Sequence, residues 1–418
     1  MGSFFRVMRA VRAQYLNVLD ADALNKSFGG PLFLFFVVTS AIAVLSLFVT
    51  ESQGLFDFLG GVDRVGREDF LAFYRAGDLA RGGQADLVYD PAVFIRPFSE
   101  LNRGLLFLNP PHALLIFEPL AFLPYQMARV VVLLANLVAI YGIVRVADLR
   151  LGFSPFVFTF LVYGSYSSLV LLQISPIVIF LIVYALVNSD SRPVLSGLAL
   201  AAATIKPQFG LLIPVFLIGQ KDWRTFWIAA VVTAALIGLS ILRFGWPVWE
   251  SYISTFTDGS GSSHFNQVYV GMITVSQSLG KLWFSSDYRV WAQILILVLC
   301  GGGIWYAART LSRKFAVPVC LMAMAAASPS FLFYDWLIIS ASSLLVLQLV
   351  PSWPRHLQIT AGGLWIAPLV QMMLFSDGQV ALTVAAARYL SSFLPLLILI
   401  VSIQIYFLVR KQASYEYG

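Results

Sequence analysis

The residues best placed to do chemistry are an adjacent acidic pair, Glu68 and Asp69, in a polar segment after the first long apolar run. A carboxylate can accept a proton from a hydroxyl group that lies within hydrogen-bond reach. An ordinary aspartate has a pKa of about 4, so it removes that proton in concert with attack by the hydroxyl oxygen. The pair therefore provides a candidate catalytic base. The alternative is a solvated surface carboxylate that pairs with Arg67 or Arg75.

A second candidate is Lys206, which lies between two apolar stretches and is followed by Pro207. Proline interrupts a helix, and the break frees backbone polar groups to face a cavity. A cation at such a tip is costly unless it meets water or an anion, and ionisable groups within a membrane are functional candidates by default. A lipid phosphate is a suitable partner for Lys206. The alternative is a lysine whose long side chain reaches the membrane interface.

Five further residues could complete a polar site. Tyr334 and Asp335 follow an apolar run and could hold sugar hydroxyls or orient a base, unless Asp335 is only a charge at a helix end. His264 and Gln277 could bind phosphate or sugar, and His112 could line the same cavity, although a loop histidine is usually just exposed. The three histidines do not have the spacing of a metal site, so the sequence predicts no metal and no cofactor.

The composition indicates what kind of molecule carries these residues. Hydrophobic residues make up 59% of the 418 residues, charged residues make up 11%, and the mean hydropathy is +0.82. Soluble domains carry roughly 25% charged residues, so we expect an all-α, multi-pass membrane protein. The net charge of +6 reflects Lys and Arg in the connections between apolar runs, which indicates membrane topology and not nucleic-acid binding. Cys300 and Cys320 lie in apolar stretches and predict neither a disulfide nor a metal cluster.

Apolar runs of about 20 residues can cross the hydrocarbon core of a membrane. The clear candidates are 31–50, 125–146, 225–243, 290–308, 316–333, 336–350, 357–375 and 388–409. The stretches 156–188 and 194–219 are interrupted at 173–176 and 206–207, and each predicts two short spans that meet at a polar tip. With the basic connections on the cytoplasmic side, this predicts about twelve spans and both termini inside, or one more span if 109–124 crosses instead of dipping in.

We expect one membrane domain over all 418 residues. Residues 1–30 have no cleavable signal pattern and predict a cytoplasmic amphipathic segment. Two long loops, 51–108 and 244–287, would lie on the outer side. The first is predicted to be helical, amphipathic and parallel to the membrane surface, and the second contains a glycine- and serine-rich run that could act as a lid.

In their order and spacing, these segments resemble glycosyltransferase family 87 (GT87), membrane enzymes of the GT-C fold that include mycobacterial α-mannosyltransferases of phosphatidylinositol mannoside synthesis. The resemblance covers about residues 66 to 340. It is carried by the acidic pair with the loop to Gly77, 87–90, 109–111, 119–124, Gln173, 201–208, 276–279, and Ser328-Pro329 with Tyr334-Asp335. The chain departs from the usual form at 331–335, where relatives often have a Trp- and His-rich stretch, and this leaves acceptor recognition open.

The resemblance implies an inverting transfer of a sugar, mannose first, from a polyprenyl-phosphate donor to a hydroxyl group of a lipid or glycan acceptor. It implies that the base is Asp69 rather than Glu68, and it requires no metal. Donor phosphate would be bound by Lys206, His264 and Gln277. Sugar or acceptor would be bound by Tyr74, Tyr89, His112, Tyr334 and Asp335.

The same resemblance implies a bacterial inner (plasma) membrane enzyme whose active site faces the periplasm or extracytoplasm. Its partners would be the lipid-linked donor, the acceptor and membrane lipids, without nucleic acid. Aromatic residues of the first loop, especially Phe73, Tyr74 and Tyr89, could form platforms for sugar faces, with anchoring at the membrane interface as the alternative.

Other functions stay open at this point. The donor could carry arabinofuranose, since nothing in the sequence reads the stereochemistry of a sugar. A lipid or sugar transporter or a flippase would also need many spans, but it should show internal symmetry or several ionisable residues at the membrane midplane. Here the ionisable candidates face one side beside long loops, which favours an enzyme. A scaffold without catalysis is hard to reconcile with the break at Lys206.

Overall fold

The computed structural model of the chain describes residues 29–50, 69–97, 105–147, 162–257, 272–281, 286–376 and 381–417. Its regular elements are helices, which confirms the all-α prediction for these residues. The α-helices of the first half are α1 (Pro31–Thr50), α2 (Phe70–Arg81), the single turn Pro91–Phe94, α3 (Leu114–Leu120), α4 (Tyr125–Ala147), α5 (Tyr163–Val170), α6 (Ser175–Asn188), α7 (Pro193–Ala203) and α8 (Ile213–Gly219).

The second half continues with longer helices. They are α9 (Trp223–Phe244), α10 (Pro247–Thr257), α11 (Val275–Lys281), α12 (Ser286–Thr310), α13 (Arg313–Ala327), α14 (Leu337–Leu349), α15 (Arg355–Ser376) and α16 (Ala381–Tyr417). Short 3₁₀ helices occur at Ala85–Tyr89, Pro111–Ala113, Pro207–Phe209 and Phe333–Trp336.

Four helical segments in the described residues are long and apolar enough to cross a membrane. They are Tyr125–Ala147, Trp223–Phe244, Tyr288–Thr310 and Ser392–Glu416. Five apolar helices are shorter, at 10–17 residues, and include the helix after the first predicted break and the helices on both sides of the second. Membrane character is therefore supported, while the number of about twelve spans and the GT-C arrangement stay predictions.

Both interruptions predicted from the sequence are present. Helices α5 and α6 are separated at 171–174, and α7 and α8 are separated at 204–212. A proline stands at the start of the helical segment that follows each interruption. Pro176 lies in the first turn of α6 and Pro207 opens a 3₁₀ helix, and at these positions the missing N–H of proline costs little. The part of the predicted stretch before residue 162 lies outside the described residues.

The segment 109–124 contains only a 3₁₀ turn and the seven-residue helix α3. Seven residues of helix rise about 10 Å, far less than the ~30 Å hydrocarbon core of a membrane. A helix of this length cannot cross, and this favours the interpretation in which the segment dips into the membrane. Pro119 lies inside α3, which ends one residue later.

Helix α2 packs its apolar face on α3, so the amphipathic helix predicted in the first loop is present. Phe73 stacks on Phe117 with ring centroids 4.9 Å apart and planes at 10°. A Cβ atom at Gly77 would lie 2.1 Å from the carbonyl oxygen of Phe117, so only glycine permits this approach. This contact fixes α2, whose first turn begins the candidate site. Its placement along the membrane surface stays a prediction.

At the ends of α6 and α8 that lie away from the two breaks, basic residues of the connections form ion pairs with acidic residues. Arg313 forms ion pairs with Asp190 at 2.8 Å and with Asp222 at 3.1 Å, and Lys314 pairs with Glu416. These residues belong to the connections that the positive-inside pattern places on the cytoplasmic side. The structure thus gathers them at one end of their helices.

Candidate active site

Asp69 immediately precedes α2, and its side chain is tied to the break between α5 and α6. Its Oδ2 accepts a short hydrogen bond from Nε2 of Gln173. The backbone N–H of Phe70 also donates to the carbonyl of Leu171, at 3.4 Å. The start of α2 is therefore attached to the polar tip at 171–174, and Asp69 is partly buried there.

The tip itself has an unusual backbone. Leu172 has a φ of 49°, in the left-handed region that residues other than glycine seldom adopt. Two contacts hold the next residue in place: Gln173 N–H donates to the carbonyl of Ser168 at 2.9 Å, and Asn136 Nδ2 donates to the carbonyl of Gln173 at 2.8 Å. The amide side chain of Gln173 is thus directed at Asp69 by a fixed backbone.

Lys206 lies in a buried polar cluster built from three separate breaks in the helices. Its Nζ donates to Oδ1 of Asp335 at 2.7 Å and to Oγ of Ser175 at 2.6 Å. The Ser175 hydroxyl in turn donates to the same Asp335 oxygen at 2.6 Å. The ammonium group also lies 4.9 Å from the ring centroid of Tyr334, within the range of a cation–π contact.

The carboxylates of Asp69 and Asp335 differ in how many hydrogen-bond donors already contact their oxygens. Asp335 Oδ1 is taken by Lys206 and Ser175, and its Oδ2 accepts the backbone N–H of Leu332 at 3.0 Å. For Asp69, Gln173 engages Oδ2, and the described residues place no hydrogen-bond donor on Oδ1. Asp69 is therefore the carboxylate with an oxygen still open to a substrate.

Electrostatics link these groups into one site. Burial raises the pKa of Asp69 above its ordinary value of 3.8, the hydrogen bond from Gln173 and the charge of Lys206 lower it, and the charge of Asp335 raises it again. The net direction is upward, because desolvation disfavours the carboxylate more than its partners favour it. The charges of Asp69 and Lys206 thus lie close enough to act on each other.

A second set of predicted residues braces the turn that carries Lys206. Asn109 Nδ2 donates to the carbonyl of Ile205 at 2.6 Å, and Tyr89 donates its hydroxyl hydrogen to the carbonyl of Asn109, also at 2.6 Å. His112 Nε2 lies 3.0 Å from Oγ1 of Thr204. His112 therefore contacts a side chain two residues before Lys206, and Tyr89 is linked to this turn through Asn109.

Tyr74 and Gln277 are placed at the edge of this assembly. Tyr74 lies on α2 and donates its hydroxyl hydrogen to the carbonyl of Leu123 at 2.9 Å. Gln277 is buried on α11, and its backbone N–H donates to Oγ1 of Thr274 at 3.2 Å. The sugar and phosphate contacts expected of these two side chains stay predictions.

Two predicted residues, Glu68 and His264, lie outside the described residues, as does the glycine- and serine-rich run. Within the described part of the chain, no group of three or more His, Cys, Asp or Glu side chains is arranged to hold a metal ion. Metal independence stays a prediction.

The sequence reasoning missed the roles of two polar residues at one break. Gln173 contacts Asp69, and Ser175 joins Lys206 to Asp335. A signal was available, since both are polar residues between two long apolar runs. Asn136, in the middle of α4, gave a weaker signal of the same kind.

A family model described as glycosyltransferase family 87 matches residues 107–334, more than half of the chain. The chain belongs to glycosyltransferase family 87. The matched region contains Gln173, Ser175 and Lys206 and ends one residue before Asp335, whereas Asp69 precedes it. Membership of GT87 confirms the resemblance at the level of the family and makes the chain a glycosyltransferase. No curated protein and no solved structure matches this GT87 chain.

Proposed function

We propose that this GT87 protein transfers a sugar from a polyprenyl-phosphate donor to a hydroxyl group of a lipid or glycan acceptor, with Asp69 as general base and Lys206 as phosphate ligand. The observation that carries the proposal is the placement of an aspartate with one open oxygen within electrostatic range of a buried, hydrogen-bonded lysine. Mannose as the sugar rests on the resemblance alone.

Asp69 suits the role of base better than Asp335 does. A general base needs a free lone pair and a pKa closer to the working pH than that of an ordinary aspartate. Asp69 has an open oxygen among the described residues, and burial raises its pKa. Asp335 has three donors on its two oxygens and is 1% exposed, so it serves as the counter-ion of Lys206.

Lys206 can contact a phosphate without leaving its counter-ion. An ammonium group has three N–H donors, and Ser175 and Asp335 use two of them. The third is available to a phosphate oxygen. Because the surroundings are buried, such a donor stabilises charge on the departing phosphate more than it would in water.

The reaction then proceeds as a single displacement. The acceptor oxygen attacks the anomeric carbon on the face opposite the phosphate, a new carbon–oxygen bond forms, and the bond from the anomeric carbon to the phosphate oxygen breaks. The electron pair of that bond leaves with the polyprenyl phosphate, and the proton of the acceptor hydroxyl passes to Asp69. Configuration is inverted, so a β-linked donor gives an α-linked product.

Support for an extracytoplasmic site comes from the two ends of the helices. The ion-paired connections around Arg313 belong to the positively charged side, which is cytoplasmic by the positive-inside rule. The polar tips at 171–174 and 204–206 lie at the opposite ends of α6 and α7. We infer that the site opens to the outer face of a bacterial plasma membrane, where a lipid-linked donor and a membrane acceptor would meet.

The proposal is tested by incubating purified protein with polyprenyl phosphates that carry mannose, arabinofuranose or other sugars, together with extracted membrane lipids, and by identifying products by mass. Asp69→Asn should reduce transfer by roughly 10²- to 10⁴-fold, the usual contribution of a general base. Asp78→Asn, at an exposed carboxylate on the same helix, is the matched control.

Near-normal turnover in Asp69→Asn would remove the base assignment. Transfer from a nucleotide sugar, with none from any polyprenyl phosphate, would overturn the donor assignment.

A further inference from the structure

We propose that Gln173 is a positioning residue for Asp69 and that its amide supports the carboxyl group both before and after proton transfer. The inference rests on the proposed role of Asp69 as base and extends it to a residue that acts through Asp69 and not on the substrate. It is carried by the hydrogen bond from Gln173 to Asp69 and by one buried atom that lacks a partner among the described residues.

The first observation is that the backbone carrying the amide is held firmly in place. Gln173 is 5% exposed, and its backbone carbonyl and N–H groups are bonded by Asn136 and Ser168. The preceding residue, Leu172, has the left-handed conformation. Strained backbone of this kind persists where the surrounding structure over-determines it, and it is concentrated at functional sites.

The second observation concerns the other end of the same amide. Within the described residues, Gln173 Oε1 is buried and has no hydrogen-bond partner. Buried polar atoms are nearly always paired, so an orphaned acceptor requires an explanation. The partner that Oε1 lacks is a donor, and the resting carboxylate of Asp69 has none to offer.

Proton transfer would supply that donor. Before the reaction, Asp69 is a carboxylate and needs the N–H that Gln173 gives it. After it has taken the proton from the acceptor, Asp69 carries an O–H group, which needs an acceptor. The proton arrives on Oδ1, whereas Gln173 contacts Oδ2, so a half-turn of the carboxyl group together with a 180° rotation of the amide would bring the O–H to face Oε1. The amide can meet this need because it has both a donor end and an acceptor end. No atoms or electrons are exchanged with Gln173.

A purely structural role is the competing explanation, in which Gln173 only fastens α2 to the tip. The two roles differ in the pH dependence of the reaction. The titratable groups that interact with Asp69 in the described site are Lys206, Asp335 and Tyr334, and none of them is altered by a change at Gln173. A shift in the acid limb of the pH profile of kcat/KM would therefore report the loss of the amide itself.

The experiment compares Gln173→Met, which keeps the length and removes both polar atoms, with Gln173→Glu, which keeps the shape and replaces the donor by a second carboxylate. The control is Gln358→Met, since Gln358 is an equally buried glutamine whose amide bonds the backbones of Leu32 and Trp353. For each variant, kcat, donor KM and the pH profile of kcat/KM are measured.

For Gln173→Met we expect kcat to fall roughly 10- to 100-fold, the range for losing a hydrogen bond to a charged group, with little change in donor KM. The acid limb should move to higher pH, because the carboxylate has lost the donor that favours its ionised form. In Gln173→Glu the limb should move further, since two neighbouring carboxylates do not ionise together easily. Gln358→Met should leave the limb where it is.

One outcome would overturn this inference and leave the proposed function intact. In that outcome Asp69→Asn is inactive, and the acid limb of the pH profile stays in place in both Gln173 variants. Activity in Asp69→Asn would remove both. If Gln173→Met does not fold, the Glu variant alone decides, because its shape is that of the natural side chain.

Discussion

Lys206 Nζ lies 2.7 Å from Oδ1 of Asp335, and the two residues are 129 positions apart in the sequence. Their side chains are 9% and 1% exposed, so the pair is enclosed. It joins the turn after α7 to the 3₁₀ helix before α14, and Ser175 adds the start of α6. The ion pair thus holds three interrupted segments together, and it leaves Asp69 as the carboxylate available for proton transfer.

Removing one member of this pair should be more damaging to stability than removing both. Asp335→Ala leaves a buried ammonium group without its counter-ion, which costs about 3–5 kcal/mol in free energy of unfolding. Lys206→Met combined with Asp335→Leu removes both charges and should recover most of the loss while remaining inactive. Thermal unfolding in detergent would measure this, and a double variant no more stable than Asp335→Ala would contradict it.

The kinetics of Lys206 variants should distinguish the role of Lys206 from the roles of the other site residues. In Lys206→Met the third N–H donor is absent, so kcat/KM for the lipid-linked donor should fall strongly while the acceptor KM changes little. Lys206→Arg keeps the charge but not the compact ammonium geometry, and it should recover only part of the activity. Initial rates with each substrate varied in turn give the answer, and equal loss toward donor and acceptor would count against phosphate binding.

Asp69→Asn should make the folded protein more stable at neutral pH even as it stops transfer. The folded state raises the pKa of Asp69 above 3.8, so the native protein loses stability as the pH rises from that value through the raised pKa. Asparagine has no charge to desolvate and avoids this loss. The gain in unfolding temperature should therefore be present at neutral pH and shrink as the pH falls toward 3.8.

The same melting experiment on Asp78→Asn provides the control, because Asp78 is an exposed partner of Arg75 and Arg81. Exposed ion pairs contribute little to stability, so this variant should change the unfolding temperature only slightly. A lower unfolding temperature for Asp69→Asn at neutral pH would show that the carboxylate stabilises the fold after all.

Gly77 should tolerate no side chain. In Gly77→Ala the new Cβ would lie 2.1 Å from the carbonyl oxygen of Phe117, so α2 must move away from α3 and take Asp69 with it. We expect a loss of about 1–3 kcal/mol, as for overpacking, together with reduced transfer. Gly238→Ala, in α9, is the matched control, since nothing lies within 4 Å of its Cβ position and alanine favours a helix. Similar melting of both variants would contradict the close packing of α2 on α3.

Much of this architecture follows from the sequence, because it depends on local properties. Apolar runs and prolines predict the helices and the two breaks, and the structure has α5 and α6 separated at 171–174 and α7 and α8 separated at 204–212. The acidic position, the lysine and the Tyr334-Asp335 pair were also identified as site candidates. The helices and breaks are predictable because a proline in a helix is costly wherever the rest of the chain lies. A charge among apolar residues is costly in the same way and marks a site candidate, and the roles of these site residues stay predictions.

What the sequence determined by itself, then, is which segments are helices, where they are interrupted and which polar residues stand at the interruptions. Only the tertiary structure decided the pairings: Lys206 with Asp335, Gln173 with Asp69, and Tyr89 with Asn109. Helix formation is governed by neighbours three or four residues away. Hydrogen-bond partners in a buried site are chosen by how distant segments pack, and that choice makes one of two similar aspartates the counter-ion of Lys206 and leaves the other as the proposed base.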